Sequence, residues 1–222
     1  MFSTFYHSLI RKSVVTFGTL FNNIYVERTE GNTTQKIKGP LSYASKERMF
    51  YRLNINVNDP KYYATQIILP RMSFAITGIS YDAERKRNLI TKRYAANTDQ
   101  TIKYNHSEVP YNITFALYCY VRNVDDGLQI IEQILPFFNP QFNITIKPDI
   151  LGDENELLDI PIVLTQVVPT EQYEGILKDD PSRIVVWELT FSAKISLYGP
   201  VHNNGIIKNA DVNIFNNIEE IS

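Results

Sequence analysis

An α+β domain, with a largely antiparallel sheet and helices packed on one face, is the fold class this sequence predicts. Three observations point to it. Apolar side chains recur at steps of three and four near the N-terminus and again after Val124, the period of a buried helical stripe. Elsewhere the period falls to two, most cleanly from Val185 to Leu197. The order helix, hairpin, helix, strand, strand, helix, three strands also lacks the regular strand–helix alternation of a parallel α/β sheet. The chain has 222 residues, 44% hydrophobic and 21% charged, enough for one domain that buries ~70% of its unfolded surface. That domain is placed at residues 1–201, with 202–222 as a C-terminal tail for a partner to order.

The first helix is drawn by Phe2, Phe5, Leu9, Phe17 and Phe21, with Tyr6, Ile10 and Val14 beside them and Ser3 as N-cap. Its polar face offers only Arg11 and Lys12, so the stripe suits a core better than a lipid surface. Ile24–Arg28 and Thr34–Lys38 flank a Glu30–Gly31–Asn32 turn and read as a hairpin. Ser45–Leu53 reads as a short helix with Lys46 and Glu47 exposed.

From Pro70 strands dominate. Met72, Phe74 and Ile76 alternate with Ser73, Ala75 and Thr77, the pattern of a half-buried strand. Residues 82–109 are polar and irregular and are expected to form a long surface loop. Tyr111–Val121 is apolar on both sides, so it belongs at the centre of a sheet or against a partner. Leu128, Ile131 and Leu135, with Ile130 and Ile134, form a helical stripe, and Asp125 and Asp126 sit in the first turn where carboxylates favour a helix. Pro136 ends that helix. Phe142–Ile146, Ile160–Val168 and Val185–Leu197 are the last strands; at ~3.3 Å per residue the final run is long enough to bend or to reach beyond the sheet. Residues 199–222 lose the periodicity and are rich in Asn.

The search for chemistry returns little. One cysteine excludes an intramolecular disulfide and a cysteine-based zinc site. Cys119 lies in mid-strand, where a free thiol is a small hydrophobe more often than a nucleophile. His7, His106 and His202 lack an Asp, Glu, Cys or second His at ligand spacing, so no metal site is expected. No Gly-x-Ser-x-Gly and no phosphate-cradling glycine loop occurs. The acids Asp153, Glu154, Glu156 and Asp159 lack the order of a calcium loop. No cofactor, metal or catalytic residue is assigned, and the protein is expected not to be an enzyme. The longest uncharged stretch, Ser13–Val26, has 14 residues against the ~20 apolar ones a membrane span needs. With Arg11–Lys12 where a signal core would lie, the chain is expected to be intracellular when made.

Charge is segregated along the chain. Residues 82–104 carry Arg85, Lys86, Arg87, Lys92, Arg93 and Lys103 for a net of +3, while residues 147–180 have a net of −7. Two solvated loops are the simplest explanation. The functional reading joins one to the other on a neighbouring copy, with Arg85, Lys86, Arg87, Lys92 and Arg93 facing Asp153, Glu154 and Glu156. Exposed ion pairs give only ~0–1 kcal/mol each, so they would set register more than affinity. Such a head-to-tail contact closes into a ring if the rotation allows. The second face of Tyr111–Val121 and the long final strand are further candidate contact surfaces.

Certain blocks then stand together in order: Phe5–Tyr6, Tyr43-Ala44-Ser45-Lys46-Glu47, Ile68-Leu69-Pro70-Arg71, Asp125-Asp126 and Gln129. Ile131-Glu132-Gln133-Ile134-Leu135-Pro136-Phe137-Phe138, Ile160 to Leu164, Trp187-Glu188-Leu189-Thr190-Phe191 and Tyr198-Gly199-Pro200-Val201 complete the series. Across roughly residues 1–201 the chain resembles the tail completion and sheath-stabilising proteins, or tail terminators, of contractile-tailed bacteriophages. The resemblance implies a tail-terminator-like fold and a six-membered ring at the head-proximal end of the virion tail, assembled in the host cytoplasm. The implied partners are other copies, the tail tube protein, the tail sheath protein and the neck proteins. DNA would pass the channel without sequence-specific binding, and no membrane is involved. The family carries no catalytic residues. A net charge of −2 and a pI of about 6.0 agree, because few phosphates would be gripped.

Three other readings stay open at this level. One is a baseplate or neck component on a related fold. Another is a hydrolase using Cys119, Asp125 or Asp126. The last is a nucleic-acid binder using residues 82–104, which predicts strongly salt-dependent affinity.

Overall fold

The computed structural model describes residues 4–30, 33–53, 69–88, 90–96, 101–151, 156–172 and 184–205. In chain order the elements are α1 (Leu9–Leu20), β1 (Tyr25–Glu30), β2 (Thr33–Lys38), β3 (Leu41–Tyr43), α2 (Lys46–Leu53), β4 (Arg71–Tyr81), β5 (Lys92–Ala96), β6 (Thr101–His106) and β7 (Val109–Val121). They continue with α3 (Val124–Ile134), a 3-10 turn (Leu135–Phe137), β8 (Gln141–Ile146), β9 (Leu158–Gln172), β10 (Ile184–Leu197) and β11 (His202–Gly205). The main sheet has six strands in the order β3-β4-β7-β10-β9-β8, antiparallel at every step except β3 beside β4. β1 and β2 form a separate hairpin, and β11-β6-β5 a small third sheet. The α+β class holds.

One face of the main sheet carries the larger core. Met72, Phe74, Phe115, Leu117, Leu189, Phe191 and Ile195 present it, and α1 and α3 cover it with Leu9, Phe17, Phe21, Ile130 and Ile134. Phe17 sits at its centre, wholly buried, stacked on Phe115 at 4.4 Å and edge-on to Phe191 at 5.3 Å. The buried Ser13 hydroxyl is satisfied inside α1 by donating to the Leu9 carbonyl at 2.8 Å. Whereas α1 and α3 share that face, α2 takes the other. Met49 and Phe50 pack there on Ala116, Tyr118, Tyr120 and Val186. This overturns the expectation that all the helices pack on one face, and three further expectations are revised with it. The second face of Tyr111–Val121 is covered within the chain along Ala116–Tyr120, so that stretch is no contact surface between copies. β4 is buried on both sides from Met72 to Ala75, not half-buried. Lys46 is half-buried, its ammonium 3.4 Å from the Glu188 carboxylate.

The boundaries also correct the sequence reading. Helix α1 begins only at Leu9, because Ser8 has φ 59°, a left-handed conformation that a helix does not continue through. Phe5 and Tyr6 lie outside it and are exposed, and the expected cap Ser3 lies outside the described residues. The stripe of α3 is rotated: Asp126, Gly127, Ile130, Ile131 and Ile134 face inward, while Leu128 and Leu135 face water. The supposed loop 82–109 contains β5 and β6. The start of the supposed tail, His202–Gly205, is β11, paired with Thr101–Tyr104 of β6. Residues 31 and 32 of the hairpin turn are outside the described residues.

Two β-bulges lie level with each other. On β4, Thr77 is the extra residue between the pairs Ile76–Phe115 and Gly78–Thr114. On β9, Thr165 is extra between Gln166–Thr190 and Leu164–Phe191. Each threonine hydroxyl donates to a carbonyl of the facing strand, Thr77 to Thr114 at 3.3 Å and Thr165 to Thr190 at 2.9 Å. Each bulge shifts the side-chain parity by one, so Ile79 follows Ile76 and Val167 follows Leu164 on the same face.

Candidate inter-subunit interface

The basic residues singled out from sequence do cluster, around the turn after β4 and on β5, but most are engaged inside the chain. The Arg85 guanidinium donates to Asp82 at 2.6 Å, to the Tyr111 carbonyl at 3.1 Å and to the Asn112 side chain at 3.2 Å. It therefore braces the turn against β7. This contact holds the Asp82 carboxyl below the usual carboxylate range. Arg87 lies 3.3 Å from Glu108. Arg93 pairs with Glu156 and lies over the Tyr198 ring, its guanidinium carbon 5.2 Å from the centroid. Among the described residues the basic and acidic segments thus do meet within one chain, through Arg93 and Glu156. Lys86 stays on the turn, and Asp153 and Glu154 lie outside the described residues.

The outer face of the small sheet gathers Lys92, Tyr94, Tyr104, His106 and His202. Lys92 sits 4.6 Å above the Tyr104 ring, on which His202 stacks at 5.2 Å, and the two histidine rings are 6.3 Å apart. Strand pairing brings the two histidines together although 95 positions separate His106 from the next, whereas His7 bonds to the Gly199 carbonyl at 2.9 Å. Among the described residues no group of three or more His, Cys, Asp or Glu side chains is placed to hold a metal ion. Cys119 is fully buried and burial pushes its thiol up to about 12, the state of a packing residue. Asp126, a named acid of the hydrolase reading, is buried and paired with Arg28 at 2.5 Å. Among the described residues no helix is long and apolar enough to cross a membrane.

Two surface features escaped the sequence reading. One is the sealed edge of β1, where Gln129 and Gln133 of α3 bond the backbone of Glu27 and Tyr25. Its signal was present as two glutamines four apart on a helix. The other is an apolar groove of about 620 Å³ between the end of α1 and the 3-10 turn, with Pro136, Phe137 and Phe138 along its wall. A proline followed by two phenylalanines just after a helix was the clue.

A chain built this way offers surfaces for assembly, and compared with known proteins it falls into one class, the structural proteins of phage tails. The model of the T4-like virus Myoviridae tail sheath stabiliser matches residues 4–222, and the chain belongs to that family. Similar to it is the tail completion protein gp15 of Enterobacteria phage T4, 32% identical over 213 residues, which cover 94% of this chain and 77% of the relative.

Proposed function

We propose that six copies form a ring at the head-proximal end of a contractile tail. The ring caps the finished tube, holds the last sheath ring against early contraction and meets the neck proteins. The observation that carries this reading is a family match running through residues 4–222, with no large part of the chain left over for another task. The relative's name, a tail completion protein, points to the same end of tail assembly. DNA crosses the channel without being gripped, in keeping with a net charge of −2. The protein is no enzyme in this reading: its thiol and its buried acid both have structural employment. Assembly takes place in the host cytoplasm and the product resides in the virion.

The charged contact between copies then falls chiefly to Lys86 and Lys92 on one side and to Asp153 and Glu154 on the other. Arg85, Arg87, Arg93 and Glu156 contribute through the shape they hold. Imaging purified protein by negative-stain electron microscopy, with and without assembled tail tubes, tests the reading. Six-fold rings, or caps at the head-proximal end of tubes, are expected. A compact monomer that ignores tubes at every concentration would overturn it. Binding at the baseplate end would assign the chain to that structure instead.

A further inference from the structure

Apolar surface is left open where α1, α3 and β8 meet. The groove there is lined by Phe21, Ile24, Ile134, Phe137, Phe138 and Phe142. Phe137 is 66% exposed and Leu135 beside it 43%. A contiguous apolar concavity of this kind marks a place where something docks. No described segment of the chain covers it.

The sequence supplies a matching segment. Beyond Gly205, the end of β11, the chain runs on from residue 206 to Ser222. Ile207, Ala210, Ile214, Ile218 and Ile221 fall there at steps of three, four, four and three, with Asn209, Asn213, Asn216 and Glu220 opposite; the stripe is imperfect, since Ile206 and Val212 stand on the polar side and Phe215 at its border. This is the pattern by which an amphipathic segment lays one apolar stripe into a groove. Its length allows a reach of ~25 Å if coiled as a helix and ~55 Å if extended. The family match continues to residue 222, so the segment is no appendage peculiar to this chain.

We propose that residues 206–222 of one copy lie in the Phe137 groove of the next copy around the ring. The proposal rests on the ring reading above. It supplies what a closed ring of identical subunits requires, two unlike surfaces on one chain that fit each other on its neighbours. The stripe and the groove are both apolar, so this contact provides affinity where the charged residues provide register.

The test introduces Phe137→Cys together with Ile214→Cys, and separately with Ile218→Cys, in the full-length chain, and oxidises the assembled protein with diamide. Denaturing gels without reductant are expected to show a ladder of linked chains up to six, absent from each single-cysteine variant and abolished by reductant. Rings seen by mass photometry with no ladder, or with a bond formed only inside one chain, would overturn the inference and leave the ring reading standing. A wild-type chain that stays monomeric at every concentration would overturn both. Because the cysteine variants alter the groove itself, Ile214→Asp provides a second readout. It touches none of the described core, and it is expected to raise the concentration needed for half-assembly at least tenfold with an unchanged circular dichroism spectrum. Unchanged assembly would overturn the inference.

Discussion

The side-chain amide of Gln129 forms a two-way pair with the backbone of Glu27. The Glu27 N–H donates to Oε1 at 2.9 Å and Nε2 donates to the Glu27 carbonyl at 3.0 Å. One helical turn on, the Gln133 amide donates to the Tyr25 carbonyl at 2.8 Å. An open strand edge is a template for unwanted pairing, and here a helix closes it with glutamines at i and i+4. Gln129→Leu should cost about 1 kcal/mol for the lost bonds, visible as a lower urea midpoint. Hydrogen exchange at the Glu27 amide should quicken at the same time. An unchanged exchange rate would show that the edge is protected by something else.

Gly127 is required by its neighbour. A Cβ there would lie 2.3 Å from Nε1 and 2.7 Å from Cδ1 of Trp187, against a ring wall and not a flexible tip. Gly127→Ala gains roughly 1 kcal/mol of helix propensity and loses about 1–3 kcal/mol to overpacking. The expected net result is a lower Tm with a shifted Trp187 fluorescence maximum. Gly199→Ala, where the new Cβ meets nothing within 4 Å, serves as control and should be near neutral.

Asp126 joins α3 to the hairpin through Arg28. Its side chain is 3% exposed and that of Arg28 33%. Removing one partner of a fully buried pair costs about 3–5 kcal/mol, and the wetter Arg28 reduces this to roughly 2 kcal/mol for Asp126→Ala. Chemical denaturation measures it. A loss below half a kilocalorie, on the order of a surface substitution, would show that the hairpin is held by Val26 and the glutamines alone.

Acid should weaken the turn after β4. The carboxyl of Asp82 is held low chiefly by its hydrogen bond from Arg85. A folded pKa below the unfolded one stabilises the fold above the unfolded value, about 3.9, and that contribution is lost as pH falls through the folded value. Between about pH 5 and 3 the wild-type urea midpoint should therefore fall more steeply than that of Asp82→Asn. Parallel curves would mean the pair adds nothing to stability.

Cys119 should ignore thiol reagents in the native state. Its thiol, raised to about 12 by burial, has neither the ionisation nor the access to react. Labelling is expected only at the rate of unfolding. Fast labelling of folded protein would point to an opening of β7 that its pairing on both sides does not suggest.

Much of this fold was legible in the sequence because burial writes itself as periodicity. Val185–Leu197 alternates without a break, and it is a strand flanked on both sides by pairs in the main sheet. The Ile76-to-Ile79 and Leu164-to-Val167 steps of three, which break the alternation of β4 and β9 at the two bulges, were not read from the sequence. The small sheet was missed because its outer face, with Lys92, Tyr94, His106 and His202, is solvated, so polar residues stand where a buried strand would alternate. The stripe on α3 was misdrawn for a related reason. Leucine at 128 and 135 outweighs glycine at 127 in any hydrophobic count, yet glycine is the residue that lets Trp187 approach. Of the candidate interface residues, sequence located the basic cluster and set Glu156 opposite it on a neighbouring copy, whereas Glu156 pairs with Arg93 inside one chain; Asp82 and Glu108 reach the cluster through a turn and a strand end that no local pattern reveals.

The paired bulges bear on how this sheet takes a shear load. To slip β4 along β7 by one residue, Thr77 would have to surrender its place and its bond to Thr114, and Phe74 would turn out of the core. Thr165 imposes the same stop on β9 against β10. The two stops sit at one height on either side of the Phe115–Phe191 pair, so they engage together, like two pawls on one wheel. A sheet so keyed resists sliding along its strands until it fails as a unit.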